Sequence, residues 1–68
     1  MRTVRYELLR PSEIIAERER CPVAYLPLGP LEWHSLHMPM GTDPLNAAAV
    51  ALRVAERVGG VVLPPFYW

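Results

Sequence analysis

Two carboxylates and an imidazole in one short run hold most of the chemistry available to this chain. They are Glu32, His34 and Asp43, within Gly29-Pro30-Leu31-Glu32-Trp33-His34-Ser35-Leu36-His37-Met38-Pro39-Met40-Gly41-Thr42-Asp43. In an extended segment, residues two apart point the same way, so Glu32 and His34 converge, and a loop that folds back brings Asp43 to them. Imidazole with carboxylates suits Zn²⁺, Mn²⁺ or a related borderline ion rather than Ca²⁺. A carboxylate can also bridge two such ions, an arrangement used for hydrolysis. Gly29 and Gly41 permit tight turns, while Pro30, Pro39 and Pro44 stiffen the run.

Each residue also has an ordinary reading. Asp43 before Pro44 is a favourable helix N-cap. A lone Glu32 is commonly solvated, and a lone His34 or His37 commonly serves hydrogen bonding. Trp33 and Leu36 are candidate packing residues, and Met38 and Met40 candidate gap fillers. His34-x-x-His37 has a zinc-like spacing but no third ligand of its own.

The flanking elements must position this loop. Val4 to Leu9 reads as an extended or irregular lead-in. Pro11-Ser12 to Arg20 is patterned as a helix, with Ile14 and Ile15 as its apolar edge. Glu13, Glu17, Arg18, Glu19 and Arg20 form its wet face. Cys21-Pro22 ends it, because the residue before proline is pushed out of the helical region. Val23-Ala24-Tyr25-Leu26-Pro27-Leu28 is a continuous apolar run between turn signals, which suits a strand buried on both faces. Pro27 removes a ladder donor and belongs near the strand end or beside an unpaired position.

Asp43-Pro44 starts a second helix running from Leu45 to about Val58. Its apolar residues nearly encircle it, so it is expected to be covered on more than one side. Gly59-Gly60 stops it. Val61-Val62-Leu63 is a second strand, closed by Pro64-Pro65. Strand, helix, strand over this distance is a parallel, right-handed βαβ crossover. The loop at Gly29 therefore leaves the carboxyl end of a strand, where ligands bind in open α/β sheets.

The chain has 68 residues, a formal net charge of zero and 51% hydrophobic residues. No basic run argues for nucleic acid, and no apolar run is long enough to span a bilayer. The N-terminus lacks a secretory pattern, so a cytoplasmic location is expected. Cys21 is the single cysteine, which excludes an intrachain disulfide and makes it a small, half-buried apolar residue. A chain this short buries only about 60% of its unfolded surface, which is little for so apolar a composition. Association with other chains, or a longer polypeptide, is the expected remedy.

From Leu26 to Asp43 the run resembles the signature of the creatininase family, and the spacing matches without a gap. The Ala-rich helix and the apolar strand ending in Pro-Pro extend the resemblance over about Val23 to Tyr67. It implies an α/β/α layered domain with a parallel sheet, of which residues 1–68 form an incomplete N-terminal portion. It implies a metal-dependent hydrolase acting on a cyclic amide or related C–N bond of a small molecule, through a metal-bridging hydroxide. Two divalent ions per site, Zn or Mn, are implied, with Glu32 and His34 on different ions and Asp43 as the bridge. His37 matches a histidine lining the site. Hexameric assembly is implied, or a missing C-terminal segment that supplies the remaining His and Glu ligands. Ser35 and Leu36 stand where the family has Gly-Pro, so the substrate side is altered. Trp33 and Leu36 are similar to a branch acting on cyclic ketone or inositol-derived substrates. Two further readings stand beside these: an inactive fragment, and a small module that binds a metal or a partner without catalysis.

Overall fold

The computed structural model describes residues 3–33 and 36–68. Its regular elements are helix α1 (Pro11–Arg20), strands β1 (Ala24–Tyr25) and β2 (Leu28–Gly29), helix α2 (Thr42–Val58), and strands β3 (Val61–Val62) and β4 (Phe66–Tyr67), preceded by a 3₁₀ turn at Tyr6–Leu8. β1 pairs with β3 and β2 with β4, both in parallel. The chain is thus an α/β unit built on a parallel βαβ crossover.

The strands depart from the expected bounds in two places. The run from Val23 to Leu28 is divided at Leu26-Pro27, and the second strand does not end at Pro64-Pro65 but resumes at Phe66. The cause is the same in both. Neither Pro27 nor Pro65 can donate to a ladder, so the pairing lapses where they stand. It resumes one residue out of register: Tyr25 faces Val62, while Leu28 faces Phe66. Two residues on one side oppose three on the other, as in a bulge. The carbonyls keep the strands together across the gap, with Leu63 N–H donating to Tyr25 at 2.9 Å and Phe66 N–H to Pro27 at 2.8 Å. On its other edge β3 takes up the lead-in, through a parallel bridge between Arg5 and Val62.

α1 starts at Pro11, with the Glu13 carboxylate accepting the Arg10 N–H at 2.8 Å, half of a capping box. Its wet face needs a correction at Glu17, which is only 3% exposed. The Glu17 carboxylate accepts the Gly60 N–H at 2.7 Å and the Arg20 guanidinium at 2.6 and 3.0 Å. Gly60 has φ +100°, and a Cβ there would stand 2.7 Å from the Val23 carbonyl. The close turn that exposes the Gly60 N–H to Glu17 therefore requires glycine. A buried charge is costly unless it is paired and hydrogen-bonded; here Arg20 pairs it, and a backbone donor 43 residues away, which periodicity does not register, draws it inward.

α2 lays Pro44, Ala48 and Ala55 inward, a stripe at helical spacing. It packs on β2 and β3, and its alanines allow close approach. The other side is bare: Leu45, Val50, Val54 and Val58 are exposed. The expected cover on more than one side is therefore present on one side within this chain. The apolar run around β1 and β2 is likewise not buried on both faces, since Val23, Leu26 and Leu28 are exposed. Among the described residues the hydrophobic core is Ala48, Ala55, Val61 and Val62. The radius of gyration is 13.6 Å, against about 11 Å for a compact domain of this length.

Candidate functional site

The loop that follows β2 is fastened to β4 before it leaves the sheet. Trp68 N–H donates to the Gly29 carbonyl at 3.3 Å, and Leu31 N–H donates to the Trp68 carbonyl. Glu32 is the next residue. Its N–H donates to the Met40 carbonyl at 3.0 Å, so the loop closes on itself at this neck and Glu32 is bonded to a residue three positions before Asp43. Outside the neck, Trp33 and Leu36 project into solvent, at 70% and 85% exposure. His37 is exposed, on a turn. His34 and Ser35 lie outside the described residues.

Asp43 needs a correction of role. α2 begins at Thr42 with Gly41 as N-cap, so Asp43 is the second helical residue rather than the cap. Pro44 follows in the first turn, where a missing N–H costs nothing because such donors have no intrahelical partner. The Gly41 carbonyl accepts the Leu45 N–H at 3.0 Å and begins the helical ladder. Asp43 keeps a charge-compatible position, since its carboxylate belongs to the first turn, at the positive end of the helix dipole.

The helix start is pressed against the strand end. A Cβ on Gly29 would meet Pro44 N at 3.0 Å and Asp43 Cβ at 3.1 Å. Gly29 thus forms the floor under Asp43 at the carboxyl end of β2, the expected place for ligands in such a sheet. Thr42 is buried and anchors the turn before it: its N–H donates to the Pro39 carbonyl at 3.1 Å and its Oγ1 to the same carbonyl at 2.6 Å.

Glu32, on the loop, is exposed, and Asp43, in the first turn of α2, is half-buried, so solvent reaches both. Two carboxylates supplemented by imidazole are a donor set that fits a borderline divalent metal. Among the described residues, which exclude His34, no three His, Cys, Asp or Glu stand together as a metal-holding group. Thr42 and Gly29 were not singled out as functional by residue type; the signal for both is contact with Asp43 or its turn, which spacing does not carry. Nor does the described part contain a helix long and apolar enough to cross a membrane.

Comparison with known proteins gives the lineage. The creatininase family model, described as creatinine amidohydrolase, matches residues 7–68. A creatinine amidohydrolase of Pseudomonas putida is 52% identical over 42 residues, a stretch that is 62% of this chain and 16% of that enzyme. The match thus covers far less than two thirds of that relative's length. No solved structure matches. With the signature loop closed at a strand end and nearly the whole length matched by one family model, this chain belongs to the creatininase family.

Proposed function

We propose that this chain supplies part of the active site of a metal-dependent amidohydrolase acting on a cyclic amide or related C–N bond of a small molecule. The observation that carries the reading is the Glu32–Met40 closure, which folds the signature loop back toward the Asp43 end of α2. Glu32, His34 and Asp43 would hold the metal in this reading, and His37 would line the substrate side. A divalent ion held there would supply Lewis-acid chemistry, activating water and polarising a carbonyl oxygen. The chain's own part is to position the two carboxylate-bearing residues. Asp43 is held in the first turn of α2, and the Glu32 backbone is fixed by its own hydrogen bond to Met40. Gly29 leaves the space in which Asp43 meets the strand end.

Purified chain analysed for metal content tests the reading. Bound Zn or Mn that is lost in Asp43→Asn and in Glu32→Gln is the expected result. A folded, chelator-free sample that takes up neither ion overturns it.

The exposed apolar residues favour a second component of the reading: the working site forms where further polypeptide covers Leu26, Leu28, Val50 and Val54. An open groove of about 590 Å³ lies among these residues, lined also by Tyr25 and Ala47. Further copies of this chain, or a continuing segment, would fill it and bring additional ligands.

A further inference from the structure

Resting on the metal-site reading above, we infer that Thr42 is the positioning residue that aims Asp43, acting through the Pro39 carbonyl. One five-residue stretch, from Pro39 to Asp43, fixes both carboxylate-bearing residues. Met40 in this stretch accepts the Glu32 N–H at 3.0 Å. Thr42 then ties the stretch down with two donors on one acceptor, its N–H at 3.1 Å and its Oγ1 at 2.6 Å. The backbone bond alone satisfies the N–H, which has no intrahelical partner at a helix start. The hydroxyl is therefore an addition, and it is a buried one: Thr42 is 8% exposed, so an unmet hydroxyl there would be costly.

The consequence falls on the next residue. Thr42 is β-branched and stiff at χ1, so anchoring its Oγ1 fixes the rotation of the first helical turn. Asp43 is confined from the other sides by the Pro44 ring that follows it and by Gly29, which leaves no room for a Cβ beneath it. A carboxylate held in this way meets an ion without first paying to be ordered. Residues that orient metal ligands typically change affinity 10- to 100-fold when altered. A role confined to loop stability predicts no such selective effect on the metal.

The test is titration of the whole chain with Mn²⁺, following free Mn²⁺ by electron paramagnetic resonance, for the wild type, Thr42→Val and Thr42→Ser. Circular dichroism of the same samples reports the helices. The expected result is a loss of roughly 10- to 100-fold in Mn²⁺ affinity in Thr42→Val, with helix content unchanged, and recovery in Thr42→Ser. Equal affinity in Thr42→Val and wild type overturns the positioning role and leaves the metal site standing. Collapse of the helix signal in Thr42→Val also overturns it, because the hydroxyl then carries the fold and not the ligand. A folded wild type that takes up no Mn²⁺ overturns this role and the metal reading together.

Discussion

Glu17 shows how one side chain can join distant parts of a small protein. Its carboxylate is buried, and it accepts a backbone N–H from the turn that ends α2. Glu17→Ala leaves that buried donor unmet, which costs about 1–3 kcal/mol; thermal unfolding of the variant should show the loss, and Glu17→Gln, which keeps an acceptor oxygen, should lose less. The partner responds in kind. The Glu17 hydrogen bond, then its charge, raise the Arg20 pKa above the ordinary guanidinium value. A raised pKa means a contribution that is full below the unfolded-state value and lost only as pH rises through the folded one. The Arg20 part of stability should therefore stay constant across neutral pH, and a pH series of unfolding curves comparing wild type with Arg20→Gln should show a gap that does not change there. At this scale the sequence was informative about residue type and misleading about surroundings. Glu17 sits among charged neighbours and reads as solvated, because its acceptor role depends on Gly60, far along the chain.

Among the elements, the contact that matters most is that between the end of β2 and the start of α2. Gly29→Ala places a methyl 3.0–3.1 Å from Pro44 and the Asp43 Cβ. Overpacking of this kind costs about 1–3 kcal/mol, and because the strained neighbour is Asp43, the proposed metal-ligand role predicts that Mn²⁺ uptake falls as well. Denaturant unfolding measures the first effect and Mn²⁺ titration the second; a variant with wild-type values in both would show that the strand end and helix start yield freely. The helices themselves were legible. Pro11 and the Glu13 spacing mark the start of α1, Cys21-Pro22 its end, and Gly59-Gly60 the end of α2. The finer placement of Asp43 was not, because Asp-Pro suits both a cap followed by the first helical residue and two residues already in the first turn. The helix start lies two residues earlier, at Thr42, where the Thr42 bonds to the Pro39 carbonyl hold the turn.

At the scale of the whole molecule the surface is the dominant fact. Extents of 43 × 20 × 18 Å and a core of small side chains leave large apolar residues in water on α2 and beside β1 and β2. Contiguous apolar surface of this kind marks an interaction face. The isolated chain should associate in a concentration-dependent manner and bind a hydrophobic dye, as sedimentation and dye fluorescence can measure. A Val50→Glu/Val54→Glu double variant should reduce both without loss of helix content, since neither residue is buried. Wild type that sediments as a monomer at all concentrations, with no dye bound, would contradict this. The composition already pointed this way, because half the residues are hydrophobic and too few positions exist to hide them.

By itself the sequence determined the order of the elements, the parallel βαβ crossover and the place of the signature loop at a strand end. These follow from local signals: proline and glycine stops, helical periodicity and apolar runs. It also carried the family, since motif spacing is a property of the chain and survives without a fold. Only the tertiary structure decided which charged residue is buried, where the ladder slips by a residue, that Gly29 supports Asp43, and that Thr42 and Met40 close the loop. Most of these are contacts between segments far apart in the chain or across a loop, and the Thr42 bonds to Pro39 depend on the path of the turn. Spacing does not encode them, because they depend on which atoms the packed elements bring within hydrogen-bond or van der Waals reach.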